Sequence, residues 1–436
     1  MEMNMDSHGG ASKLLEAPIS KSADLRKNFW VLFACFLGTG TGALSLVNFT
    51  VGATIPILEA EYGFTRASAA ALVTVNGLVA GFIGIGVGMA IDRVNLRAVL
   101  GVSIPLFAAG QVFISIAFAN DASVGLIQFL FGLAAFLGAG TTTVAYTTAI
   151  AGRFTSARGL ALGLMGLGAG ICSILLPPMI ISLEPTVGVP GLYLIYAALV
   201  LLPWPFVLAT FRADHQVRLP DEVAAASKTS QFGVLRSSVF WRLLAAFAIL
   251  GAFSTVLFAH TFPALVGRGI DPIVAASALS LLGLGSLSGR LISGYLLDVF
   301  QARYVAGILI ALAIPGLPAS VWGPIGLVYG ACLLAGVAIG TEMDFLGYYL
   351  SRHFGVAGLA FKMSLVFFVF TLVGAPAPFV AGLVFEATGS YDIIAAVGGV
   401  AVAIAALLIF SLPKTTTVRP RLSRRDREEV GEPVNA

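Results

Sequence analysis

"GMAIDRVNLR" runs from Gly88 to Arg97, and "GYLLDVFQAR" runs from Gly294 to Arg303. Each places a Gly, an Asp four residues on, and an Arg five beyond that. The copies are offset by 206 residues at all three positions. Outward from them the chain is a series of apolar runs. Twelve reach the length of about 20 residues that a membrane-crossing helix needs: 29–56, 67–91, 98–119, 123–151, 159–183 and 190–211, then 240–266, 273–297, 304–322, 324–350, 358–386 and 391–412. Each copy of the repeat falls between the second and third runs of its half. A weaker echo pairs "GRFTSARG" after the fourth run with "SRHFG" after the tenth.

Composition agrees with that reading. The 436 residues are 58% hydrophobic and 11% charged, against about 25% charged in a soluble domain. The chain reads as an all-α, multi-pass integral membrane protein. A net charge of +3 without a clustered basic face excludes nucleic acid as a partner. The three cysteines, Cys35, Cys172 and Cys332, lie inside apolar runs without CxxC spacing or paired histidines. Neither structural disulfides nor a metal centre is expected, nor any other cofactor. The polar N-terminus lacks the apolar core of a cleavable signal peptide.

Lys and Arg fix the orientation. With both termini cytoplasmic, 22 of the 25 fall on the cytoplasmic side, and only Arg66 and Arg268 fall outside. The remaining one, Arg290, lies within a run. The expected layout is a cytoplasmic N-tail (1–27), a six-helix bundle (28–211), a cytoplasmic linker (212–239), a second six-helix bundle (240–412) and a cytoplasmic C-tail (413–436). Two pseudo-symmetric halves with a site between them are the plan of a membrane carrier. No HExxH, nucleophile elbow or P-loop argues for an enzyme.

The paired loops resemble the signature loop of the major facilitator superfamily, G-x-L-x-D-R-x-G-R-R. The first copy keeps Gly88, Asp92, Arg93 and Arg97, with Asn95 where a second Gly is usual. The second keeps Gly294, Asp298 and Arg303 and lacks the Arg after Asp. The resemblance implies that these residues latch the cytoplasmic helix ends in the outward-open state. "GFTRASAAALVT", "RFTSARGLALGLMGLGAG" and "GRLISGYLLD" look most like the monocarboxylate transporter branch and its oxalate–formate relatives, and the last third resembles bacterial members. That implies a multi-pass protein of the bacterial inner membrane.

Arg290 is the most informative residue. A guanidinium at a helix centre costs about 2.5–3.5 kcal/mol on insertion scales, so an intramembrane Arg calls for a partner and a task. Its helical stripe, Gly283, Ser286, Ser293 and Gly294, is small and polar, as a cavity wall would be. Its planar fork matches a carboxylate bidentately. In the resembled branch an Arg of the eighth helix binds the substrate carboxylate.

Glu342 and Asp344 are the expected partners. They precede Arg352, at the cytoplasmic end of the tenth helix, by about 12–15 Å of helical rise, close to the depth of Arg290. Two residues apart, they point about 200° from each other and cannot share one face. Asp344 shares its stripe with Gly340, Thr341, Gly347 and Tyr348 and is the better cavity residue. Glu342 is expected to pack toward a neighbouring helix. Burial opposes ionisation of a carboxylate while a nearby Arg favours it, which poises such a group to carry a proton.

The relatives do not match throughout. The acid expected four residues before the Arg is Ser286, and the first helix has no Lys. One buried cation rather than two favours a monoanion. Further substrate-site candidates are Tyr146 and Thr142 in "GTTTVAYTT", Asn76, and His260 near the outer end of the seventh run. The expected activity is proton-coupled symport of a small organic monocarboxylate by a monomer in the lipid bilayer. The alternative is a proton-coupled antiporter exporting an amphipathic, drug-like compound; the G-P-x-x-G-G pattern that would favour it is missing from the fifth run.

Overall fold

The computed structural model describes residues 21–414 apart from 94, 155–156, 212–231 and 355–358. Among the described residues all regular structure is helical. Among the described residues, ten helices are long and apolar enough to cross a membrane. One of them, Arg158–Leu201, doubles back at Gly188, whose φ of 65° and ψ of 174° lie in a region open to glycine almost alone. It therefore supplies two crossings. Another crossing is assembled from two shorter helices, Val124–Leu137 and Thr143–Arg153.

The twelve crossings are α1 (Phe29–Thr41 and Ala43–Glu61), α2 (Arg66–Arg93), α3 (Leu96–Ala119), α4 (Val124–Leu137 and Thr143–Arg153), α5 (158–187) and α6 (189–201, continued by Trp204–Thr210). The second half has α7 (Ser238–Gly267), α8 (Pro272–Val299), α9 (Ala302–Ala311 and Gly316–Trp322), α10 (Ile325–Phe354), α11 (Leu359–Gly374 and Ala377–Thr388) and α12 (Asp392–Phe410). Local chemistry sets their ends. Ser123 caps α4, and Asp271 caps α8 by accepting from Ile273 N at 2.9 Å. Asn95, the departure from the signature loop, accepts from Ala98 N at 3.2 Å and so starts α3.

Two apolar cores form. One lies within α1–α6 around Phe107, Phe118 and Tyr146; the other lies within α7–α12 around Phe240, Phe247 and Phe345. Hydrogen bonds join the two halves toward the outer ends of their helices. Arg66 Nη1 donates to Tyr391 Oη, Ala67 N to Glu386 Oε1, Thr74 Oγ1 to the Ala375 carbonyl, and Ser280 Oγ to the Ile174 carbonyl. This conformation is closed on the outside.

Two breaks interrupt what sequence periodicity reads as continuous helices. α1 breaks at Gly42 (φ −66°, ψ 162°) and α4 at Thr142 (φ −74°, ψ 159°). Backbone freed from a helix inside the membrane needs partners or a polar cavity. The α1 break is satisfied by its neighbours: Ala43 N donates to Thr141 Oγ1 of α4 at 3.1 Å, and the Ala43 carbonyl accepts from Asn76 Nδ2 of α2 at 3.3 Å.

Candidate functional site

α8 and α10 lie backbone against backbone. Gly285 and Gly289 on α8 face Gly336 and Gly340 on α10, and a methyl group at any of the four would overlap the opposite main chain. Two small-x-x-x-small pairs make the contact, the usual device for close helix approach in lipid. Gly340 is packed against Arg290 itself, since a Cβ there would stand 3.1 Å from the Arg290 nitrogen. Arg290 and the acids of α10 are brought together by this seam.

Arg290 extends away from α10 toward the other half. A Cβ added to Gly166 on α5 would lie 3.0 Å from Arg290 Nη1. The guanidinium therefore rests on the α5 backbone, at the boundary between the halves. It acts electrostatically on both Glu342 and Asp344, yet among the described residues it forms no ion pair with either. A cation at such a boundary without a bound carboxylate can accept one.

The two acids are held apart. Glu342 is 2% exposed, and its Oε1 accepts from Ser254 Oγ of α7 at 3.2 Å. Asp344 is half-buried, and its Oδ2 accepts from Ser293 Oγ of α8 at 3.1 Å. Ser293 belongs to the small polar stripe of Arg290, whereas nothing in the spacing of Ser254 marked it.

On the first half, Asn76 and Thr141 converge on the α1 break, and Thr142 is the residue at which α4 itself breaks. The Tyr146 ring lies on Gly38 of α1, one turn before that break. α1 also presents Gly40 to Gly168 and Cys172 of α5. Arg290 and Tyr146 thus flank the same pair of helices, α1 and α5, from opposite halves.

His260 is elsewhere. It lies seven residues from the outer end of α7, and Arg290 lies eighteen residues from the outer end of α8. Helical rise separates their depths by about 16 Å. Both ring nitrogens of His260 are engaged at the outer end, by Tyr391 Oη at 3.0 Å and the Pro378 carbonyl at 2.8 Å. Of the latch residues, the side chains of Gly88, Asp92, Arg93 and Asp298 lie outside the described residues. Arg97 and Gly294 are exposed. Arg303 bonds within its own half, to the Leu412 carbonyl at 3.0 Å and Tyr304 Oη at 2.7 Å. A separate cleft of about 480 Å³ between α7, α11 and α12 is lined by apolar residues alone and has no part in this site.

Two halves of six crossings, with the Arg290 guanidinium at their boundary, have the layout of a membrane transporter. The family model of the Major Facilitator Superfamily matches residues 37–378, and the chain belongs to that family. It is 26% identical over 346 residues to the human protein "Monocarboxylate transporter 11", covering 75% of this chain and 71% of that one. Its mouse counterpart is 25% identical over 378 residues, covering 83% and 82%. Among solved structures, a nucleoside transporter superimposes with a TM-score of 0.69 at 16% identity, covering 90% of this chain and all of that one. A D-xylose–proton symporter gives 0.68 at 15% identity, covering 91% and 99%. These likenesses at low identity show the fold.

Proposed function

We propose that the chain is a proton-coupled symporter of a small organic monocarboxylate working by alternating access. The observation that carries the reading is Arg290, resting on Gly166 between the halves within electrostatic reach of two acids and paired with neither. The weak similarity to monocarboxylate transporters points the same way.

The cycle follows from the charges. An incoming carboxylate binds the guanidinium bidentately and competes with the α10 acids for it. Protonation of one acid removes that competitor and frees Arg290 for substrate. Deprotonation toward the cytoplasm restores the competitor and expels the substrate. Protons and substrate are thereby bound together and released together.

Uptake by proteoliposomes under an inward proton gradient tests this. Arg290→Ala is expected to abolish carboxylate uptake. Undiminished uptake, or competition by lipophilic cations in place of carboxylates, overturns it and favours an exporter.

A further inference from the structure

The outer end carries a hydrogen-bonded chain that the Arg290 site does not use. Arg66 at the start of α2 grips Glu59 of α1 with two bonds, at 2.5 and 2.6 Å, and its Nη1 donates to Tyr391 Oη at 2.7 Å. Its guanidinium also lies 4.5 Å from the centre of the Phe385 ring. Tyr391 Oη meets His260 Nδ1 at 3.0 Å, and His260 Nε2 meets the Pro378 carbonyl at 2.8 Å. A second link runs in parallel, from Ala67 N to Glu386 Oε1 at 2.7 Å. Both links join α1–α2 to the α11–α12 end.

The protons in this chain can be assigned by elimination. The Pro378 carbonyl only accepts, so Nε2 carries the ring hydrogen. Arg66 only donates, so the Tyr391 oxygen accepts from it. The Tyr391 hydroxyl hydrogen then goes to Nδ1, which is bare. With a neutral His260 ring, each group in the closed gate is used once.

A second proton on His260 breaks this pattern. An N–H at Nδ1 would face the Tyr391 oxygen and leave the tyrosine hydroxyl hydrogen without its acceptor. It would also create a second cation beside Arg66 in a site where His260 is 1% exposed. The other charges nearby do not offset it. Glu59 is committed to Arg66 and Glu386 to the start of α2. Arg268 is bonded to the Ser320 and Gly323 carbonyls, Asp271 caps α8, and Asp392 accepts from Trp322 and Ser390. Glu61, Asp121 and Glu184 surround Tyr62, while Arg290 and Glu342 lie deeper in the membrane.

We propose that this chain is an outer gate that closes only around neutral His260, so that a proton from the external medium binds His260 in the open gate and holds the carrier outward-facing. In the open form an ordinary histidine titrates near about 6.5. Below that value the ratio of open to closed gate rises about tenfold per pH unit.

Spin labels at Ala60→Cys and Ala387→Cys, exposed on opposite halves at the outer end, report the gate. The full chain is labelled in lipid nanodiscs with Cys35, Cys172 and Cys332 replaced by alanine, and distances are recorded from pH 8 to pH 5 without substrate. At pH 5 ordinary carboxylates remain largely ionised. The expected result is a short distance at pH 8 and a longer population that grows about tenfold per unit below about pH 6.5. His260→Gln, which keeps one donor and one acceptor, is expected to remove the pH dependence. Tyr391→Phe, which keeps the ring, is expected to raise the long-distance population already at pH 8. An unchanged distribution from pH 8 to 5, a shift that persists in His260→Gln, or a Tyr391→Phe gate as closed as the parent overturns the proposal. The readout is a distance in the absence of substrate, so failure of the carboxylate reading leaves it intact.

Discussion

Gly166 on α5 and Arg290 on α8 meet across the boundary between the halves, so closely that an added Cβ at position 166 would stand 3.0 Å from Nη1 and the guanidinium would have to give way. The position of the central cation is thus set by a residue of the opposite half. Under the proposed alternating-access cycle, rocking of the halves would change what the guanidinium touches and so couple substrate binding to the conformational change.

Gly166→Ala displaces the tip of a flexible side chain by a few tenths of an ångström, and Gly166→Val displaces it further. Misplacing a binding group by about 1 Å costs up to about a hundredfold in a well-aligned site. Uptake kinetics are expected to show a KM raised about threefold for Ala and at least tenfold for Val, with unchanged protein yield.

Asp344 and Glu342 are bonded to serines of different helices, α8 and α7, so their substitutions should separate. Asp344 shares the Arg290 side of α10 through Ser293. Asp344→Asn is expected to abolish proton-driven accumulation while retaining substrate exchange between loaded vesicles. Glu342→Gln, which still accepts from Ser254, is expected to keep at least a third of accumulation.

The α8–α10 seam admits no side-chain atoms at Gly289 or Gly340. Overpacking of this kind typically costs about 1–3 kcal/mol. Gly340→Val is expected to lower the thermal unfolding midpoint by several degrees in detergent and to reduce uptake by moving the acids away from Arg290. Gly330→Val, where the structure leaves open space, should do neither.

The end of α12 is held by two guanidiniums. Arg242 Nη1 donates to the Ser411 carbonyl at 2.6 Å, and Arg303 Nη1 to the Leu412 carbonyl at 3.0 Å. Cations on helix carbonyl ends stabilise by about 0.3–1 kcal/mol each. The double substitution Arg242→Gln with Arg303→Gln is expected to lower the unfolding midpoint by a few degrees with KM unchanged, as read by thermal unfolding and uptake.

Much of the site was legible because charge is rare in hydrocarbon. Arg290, Glu342 and Asp344 stand out from any apolar run, and helical rise alone brings them to similar depth. What each one touches was not legible. Glycine pairs at 285 and 289 and at 336 and 340 were visible, but a small-x-x-x-small pair does not name its partner. Helical periodicity is also a weak guide in a membrane, where lipid-facing and core-facing residues are both apolar. The "GTGTG" of α1 read as unbroken helix because nothing local reveals that Thr141, about a hundred residues on, receives the freed Ala43 nitrogen.

The sequence by itself determined the twelve crossings, through run length, and the orientation, through the placement of Lys and Arg. It also determined the duplication, through the repeat at Gly88 and Gly294, and the identity of the central cation. Tertiary structure decided that Arg290 rests on Gly166, that the two acids go to different serines, and that His260 closes an outer chain with Tyr391 and Arg66. The reason is physical. Transfer of a residue into hydrocarbon depends on its own chemistry and can be read one residue at a time, whereas a hydrogen bond between helices depends on which backbones approach closely enough to bring two groups together.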